Sequence, residues 1–331
     1  MIDTNHGTRD SRTEWQSRIL TPPPLYDWPP RPLAALKWIF GYPGFFLPWT
    51  AVLMMFPLVT WFFLTPDLEK MKSFEIDWIA TIFLRNLGLS ILVAGGFHLR
   101  FYVQKAQGTR YKYNKNWLGK HQRFLFGDQT RDNIFWSITS GFSIWATYEA
   151  LSYWLFANSH IAFLNWADHP IYFVLFYLSV HPIREAHFYL THRLLHWKPF
   201  YKAAHYLHHK NVNIGPWSGL SMHPIENIIY FSGVILHWVL LSHPLHAIFH
   251  LQHAALTAVL GHNSFENLVI KGNRKIPGSS DYFHYLHHRY FECNSGGGSG
   301  GVPLDYSFGT FHDDSAEAHE AMQKKRQQAH G

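Results

Sequence analysis

Eight histidines stand in three short clusters: His192 and His196 in HRLLH, His205, His208 and His209 in HYLHH, and His284, His287 and His288 in a second HYLHH. Residues three and four apart share a helix face, so each cluster is expected to aim its imidazoles at one point. Structural zinc closes with four ligands and catalytic zinc takes three plus water, so eight convergent nitrogens imply two ions side by side. A lone HxxxH is as readily a surface pair or half a zinc site, because most histidines do other work. The repeated HxxHH turns the balance toward a two-metal, all-histidine redox centre. Imidazole suits iron, copper, nickel and zinc alike, so the ligands by themselves leave the ion open.

The elements that must carry these rings are read from hydropathy. The chain has 331 residues, of which 47% are hydrophobic, 18% aromatic and only 15% charged, against about 25% charged in an average soluble protein. Gly44 to Thr65 is free of charge over 22 residues, enough to cross a hydrocarbon core of roughly 30 Å. Its aromatic ends suit the membrane interface, and Pro48 and Pro57 are expected to kink it. Further candidate spans are Trp78 to Phe97, Ile134 to Phe156, and Ile171 to Val180 with its flanks. Arg85 interrupts the first of these at a cost of at least about 2.5 kcal/mol, unless a partner helix receives it. Two shorter apolar runs, Ile225 to Leu241 and Leu245 to Leu260, read as further spans or as a re-entrant hairpin.

Charge orients the bundle. The segment 98–131 carries Arg100, Lys105, Arg110, Lys112, Lys115, Lys120, Arg123 and Arg131 against Asp128, whereas the loop before Trp78 holds Asp67, Glu69, Glu75 and Asp77 against Lys70 and Lys72. Positive loops stay in the cytoplasm, which puts the histidine clusters on that side. The fold expected is all-α: an integral membrane helical bundle with a cytoplasmic, histidine-rich helical cap holding a di-metal site. Its expected divisions are a polar, proline-rich tail at 1–37, a transmembrane hairpin with a basic cytoplasmic loop at 38–130, a catalytic domain at 131–315 and a polar tail at 316–331. Met1 to Trp15 lacks the basic start and apolar core of a secretory signal and reads as a loose tail. The single cysteine, Cys293, supports neither a disulfide framework nor an iron–sulfur cluster and reads as a packed thiol. SGGGSGG at 295–301 lacks the strand and helix of a nucleotide-binding fingerprint and reads as a flexible loop.

FYLTHRLLH at 188–196, AHYLHHK at 204–210, MHPIE at 222–226, GHN at 261–263 and DYFHYLHHRYFECN at 281–294 follow one another in order, with PLDYSFGTFHD at 303–313 after them. In these motifs the chain resembles the fatty acid hydroxylase and sterol desaturase superfamily of integral-membrane, O₂-dependent di-iron enzymes, over roughly residues 130 to 315. The resemblance implies that His192, His196, His205, His208, His209, His284, His287 and His288 ligate metal, joined by His262. Fatty acyl 2-hydroxylases carry another histidine four residues before the last of these, where this chain has Ala258, so the second metal is expected to keep an open or water-filled position. His253 and His223 are the possible substitutes. Many relatives have an aromatic residue where this chain has Ser295 and a glycine run.

The chemistry follows from the need. An unactivated alkyl C–H bond is beyond side-chain acids and bases, so a metal that activates O₂ must supply the reactivity. Iron is the expected ion, two per chain, from that redox demand and from the resemblance. Hydrogen abstraction and hydroxyl return give an alcohol, and a second abstraction at the neighbouring carbon gives an alkene. The expected substrate is a sterol or fatty-acyl lipid, and the expected reductant an external cytochrome b5-like or ferredoxin-type donor, docked on the basic 98–131 loop unless that loop binds anionic lipid. No nucleic-acid partner is expected. Neutral imidazoles leave two cations uncompensated, so Asp281, Glu226 and Glu185 are candidate outer carboxylates, each with an ordinary helix cap or surface charge as its plainer role. The many aromatic residues at 135–177 line a lipid channel or simply pack. Competing readings are a zinc-dependent membrane hydrolase and a non-enzymatic metal transporter or sensor.

Overall fold

The computed structural model describes residues 7–9, 15–17, 22–297 and 303–330. Helices dominate it. In chain order they are α1 Pro32–Phe40, α2 Phe46–Phe63, α3 Ile76–Val103, α4 Gln129–Trp136, α5 Ser143–Ala157, α6 Pro170–Leu195, a helical segment 198–209 (α7), α8 Pro224–Phe231, α9 Leu236–Val239, α10 Pro244–Gly261, α11 Tyr282–Tyr290, α12 Leu304–Ser307 and α13 Ala316–His330. Two small antiparallel hairpins qualify the all-α expectation. β1 Gly7–Arg9 pairs with β2 Trp15–Ser17, and β3 Asn267–Lys271 with β4 Arg274–Pro277, Leu268 lying opposite Ile276.

Among the described residues, α2 and α3 are the helices long and apolar enough to cross a membrane. Their outer faces show Met55, Phe62, Phe63, Leu84, Ile91 and Leu92, as a lipid-facing helix would. The other expected spans are helical and bury polar groups. Ile134 to Phe156 runs through α4 and α5 and buries Ser137, Ser140 and Glu149, while the run at 171–180 opens α6, which goes on to bury Arg184 and Glu185. Arg85 meets its partner across the α3–α5 interface, where it pairs with Glu149. The same carboxylate accepts from Asn86 Nδ2 at 2.8 Å and Tyr153 Oη at 3.0 Å, so the charge is spent inside the protein and not toward lipid.

The two short apolar runs become α8, α9 and α10. Pro244 starts α10 with its missing N–H at the first position, where no partner is needed, and His243 Nδ1 accepts from Leu245 N at 3.0 Å. α10 is enclosed on every face, by α2, α5 and α6 among others. Its apolar run reflects burial in the core of the bundle, which also takes in His246, His250, Gln252 and His253.

Two other expectations change. Trp15, the last residue of the tail read as loose, is buried, packs edge-on to Tyr111 at 5.2 Å between ring centroids, and donates its indole N–H to Glu266. The basic segment is partly structural. Lys112 is buried and donates to the carbonyls of Asn114 at 2.7 Å and Asn116 at 2.9 Å, while Arg100 and Arg110 donate to the Val269 and Gly272 carbonyls of the β3–β4 hairpin. SGGGSGG lies partly outside the described residues.

Candidate metal centre

Four separate elements deliver the histidines. The last turn of α6 carries His192 and ends at His196, α7 carries His205, His208 and His209, α11 carries His284, His287 and His288, and His262 caps the C-terminus of α10. Their ring nitrogens gather into two groups. His192, His196, His205, His209 and His287 form one, and His208, His262, His284 and His288 the other, with the candidate ligand atoms of each group within 4.8 Å of one another.

This overturns the expectation that each HxxHH aims at a single point. The i and i+4 rings of a helix diverge by about 40°, but the i+3 ring lies about 100° from the i+4 ring, so the middle histidine turns away. In α7, His205 and His209 go to the first group and His208 to the second. In α11 the division is reversed, with His284 and His288 in the second group and His287 in the first. Each motif therefore ties the two groups together.

The distances suit a cation. In the first group Nε2–Nε2 separations are 3.1 Å for His192–His205, 3.0 Å for His196–His205, 3.1 Å for His196–His209 and 3.0 Å for His196–His287. In the second, His262 Nε2 lies 3.3 Å from His208, 3.0 Å from His288 and 3.2 Å from His284. Ligands at right angles around an ion with metal–nitrogen bonds of about 2.1 Å would sit about 3.0 Å apart.

The outward nitrogens explain why the Nε2 lone pairs face in. Nδ1 of His192 lies 2.7 Å from the Ser295 carbonyl, Nδ1 of His287 2.6 Å from the Cys293 carbonyl, and Nδ1 of His262 2.7 Å from the Ala258 carbonyl. A carbonyl only accepts, so each Nδ1 must carry the proton and each Nε2 must be bare. His205 makes the equivalent contact with a carboxylate, Glu226 Oε1, at 2.7 Å. Burial, reinforced for several rings by the neighbouring imidazoles, holds the ligand-type histidines well below the usual range, with His262 and His287 at about 4. They are neutral donors at ordinary pH. Burial alone pushes the Glu226 carboxyl up, and a cation on the far side of His205 would draw it back toward the carboxylate.

The loop behind α11 is built to present the Cys293 and Ser295 carbonyls. Phe291 reverses the chain at φ +64°, and Asn294 fastens it through Nδ2 to the Phe283 and His312 carbonyls at 3.2 and 2.9 Å. Asp305, from the PLDYSFGTFHD motif, accepts from Ser295 N at 2.8 Å and Gly296 N at 2.6 Å. Cys293 is buried as expected, but it contributes through its carbonyl.

The remaining candidates fall elsewhere. His253 is buried against His181, Nε2 to Nδ1 at 2.6 Å, and His223 caps α8 by accepting from Ile225 N at 3.2 Å, so neither joins a group. Asp281 caps α11, accepting from Phe283 N at 3.0 Å, and burial raises its carboxyl to about 7. Glu185 pairs with Arg184 at 2.7 Å. A small pocket reaches His192, His205, His208, His262 and His284, with Phe188 and Met222 in its walls. Thr257, Gly261, Asp281 and Gly297 also border a second cavity of about 330 Å³ that runs out past Trp38, Phe45, Trp49 and Leu53. Sequence gave no sign of the carbonyls of Ser295, Cys293 and Ala258 as partners.

Residues 173–310 match the fatty acid hydroxylase family. The chain is 29% identical over 161 residues to a Delta(7)-sterol-C5(6)-desaturase of Nicotiana tabacum, covering 48% of this chain and 56% of that protein. It thus spans about half the length of the curated relative it matches. No solved structure matches the chain. The matched region includes every histidine of the two groups, and over it the chain is similar to the fatty acid hydroxylase family and to a sterol desaturase.

Proposed function

We propose that this protein is a membrane-bound, O₂-dependent di-iron oxidase that hydroxylates or desaturates an unactivated C–H position of a sterol or fatty-acyl lipid. One observation carries the reading: two adjacent all-imidazole groups border a pocket that shares Thr257, Gly261, Asp281 and Gly297 with a larger cavity lined by Trp38, Phe45, Trp49 and Leu53. His192, His196, His205, His209 and His287 would hold one iron, and His208, His262, His284 and His288 the other. When bound, the irons supply the O₂ activation that no side chain provides. The catalytic unit is 131–315, facing the cytoplasm if the basic 98–131 segment obeys the positive-inside tendency.

The chain's own residues have definable parts. Protons fixed on Nδ1 of His192, His262 and His287 keep the Nε2 atoms available, and Glu226 orients His205. Phe188 and Met222 exclude water from the pocket wall, and Ala258 leaves space beside His262 where a larger side chain would fill it. That asymmetry, five rings in one group and four in the other, favours the second group as the one with room for an exchangeable ligand.

Lipid mass spectrometry on cells expressing the wild type and His208→Ala tests the reading. One added oxygen or two lost hydrogens in one lipid class, absent in the variant, is expected, together with about two irons per purified chain. Identical lipid profiles with an adequate electron donor and oxygen would overturn it.

A further inference from the structure

The nine histidines do not share one environment. Eight are buried and His196 is part-exposed. Within the first group only His192 and His205 border the pocket, so His196, His209 and His287 make a second face of the centre, turned away from it. Aromatic rings cover that face thinly: Tyr201 lies 5.8 Å from both His196 and His209 between ring centroids, and Phe291 5.0 Å from His209. Trp197 and Tyr206 beside them are 61% and 57% exposed.

The chain around this face is rich in positive charge. From residue 186 to 225 the chain contains Arg193, Lys198, Lys202 and Lys210 and no acid. Lys210 is taken by Asp132 at 2.7 Å. Arg193, Lys198 and Lys202 are exposed, and none makes an ion pair among the described residues, although Arg193 also donates to Tyr189 Oη at 2.9 Å. The acid beside this face is Glu292, exposed just past α11.

We infer that electrons enter the centre at the His196 edge, from an acidic one-electron carrier protein that docks on Arg193, Lys198 and Lys202. This rests on the di-iron oxidase reading. Hydroxylation balances as RH + O₂ + 2e⁻ + 2H⁺ → ROH + H₂O: O₂ is reduced, two of its four electrons come from the C–H bond, and two must come from the carrier, one per docking. The lipid occupies the pocket face, so the reductant needs another approach, and His196 is where a ring of the centre reaches the surface. In the 98–131 segment Lys112, Arg100 and Arg110 are engaged within the fold while Lys105, Lys115, Lys120, Arg123 and Arg131 stay exposed, so what favours the other patch is its place beside His196 in the chain. A positive patch facing an acidic partner acts chiefly on the association rate.

The test uses the full chain, loaded with iron, in nanodiscs of phosphatidylcholine, mixed with the reduced haem domain of cytochrome b5 as probe. Haem oxidation is followed by stopped flow over a salt series, with photoreduction by deazaflavin as the small-molecule control. Lys198→Glu/Lys202→Glu is expected to slow haem oxidation by about tenfold or more at low salt and to flatten its salt dependence. The double variant should keep wild-type iron content and photoreduction, and Lys198→Arg/Lys202→Arg should keep the wild-type rate. Lys105→Glu/Lys115→Glu on the other basic segment should change little. An unchanged rate in the Glu variant overturns the inference, as does a defect that appears only with anionic lipid present, which would make the patch a membrane contact. Failure of deazaflavin as well as the carrier to reduce wild-type iron would remove the oxidase reading itself, and the docking site with it.

Discussion

Glu226 is the side chain that links the metal-facing rings to the rest of the fold, since its carboxylate faces His205 Nδ1 at 2.7 Å while Nε2 of the same ring lies among the other donors. Groups that orient ligating histidines typically matter to metal affinity by about 10- to 100-fold. Glu226→Gln keeps the shape but offers either an amide N–H or a weaker acceptor, so iron in the first group is expected to bind about 10- to 100-fold more weakly, read by competition with a calibrated chelator. Unchanged affinity would reduce Glu226 to a buried spacer. The eight clustered histidines were legible in sequence because their spacing is local, and Glu226 was legible as the acid of MHPIE. The Ser295, Cys293 and Ala258 carbonyls were not, since every residue has one and only the folded path chooses among them. His253 was a possible substitute for the histidine that the resemblance places where this chain has Ala258, yet its ring points to His181, because position along α10 fixes direction more strongly than proximity in sequence.

At the scale of elements, α10 had enough apolar length to resemble a short span, and the sequence could not distinguish lipid from protein as the apolar surroundings. Packing decides it, and one contact shows how tightly. A Cβ on Gly219 would stand 2.3 Å from the Ala258 carbonyl oxygen and 2.5 Å from its carbon, so even alanine must displace the α10 backbone where that carbonyl receives His262. Gly219→Ala is expected to destabilise the protein by about 1–3 kcal/mol as an overpacked core, and to lower metal content in the second group before the first. Thermal unfolding with site-resolved Mössbauer spectroscopy of iron-57 would separate those effects. The loop after α11 depends similarly on Asp305, which holds the amides of Ser295 and Gly296. Asp305→Ala should release the Ser295 carbonyl from His192 and so weaken the first group, whereas a loss confined to the second group would contradict the path described.

Across the whole molecule, α2 and α3 expose apolar side chains while the interior holds charges and imidazoles beside its hydrophobic clusters. The Arg85–Glu149 pair illustrates its energetics. Removing one member strands the other, at about 3–5 kcal/mol, while replacing both with apolar side chains is often neutral; Arg85→Leu should therefore unfold the α3–α5 contact far more readily than Arg85→Leu/Glu149→Leu, as denaturation in a fixed detergent would report. The centre extends the same logic to four elements that are remote in sequence. At least three Nδ1 atoms are committed to carbonyls, so their Nε2 lone pairs face neighbouring rings at 3.0–3.3 Å and bring no proton of their own to those contacts. A cation relieves that opposition, and its binding energy becomes folding energy, about 4 kcal/mol when free metal exceeds its dissociation constant a thousandfold. Chelation should accordingly lower the thermal midpoint and accelerate amide exchange in α7 and α11, where both groups draw ligands, while α2 and α3 stay protected by lipid and their own backbone bonds. Uniform exchange across all four helices after chelation would mean that the bundle and the centre fold as one unit, and equal exchange with and without metal would mean that the histidines hold their positions by packing alone.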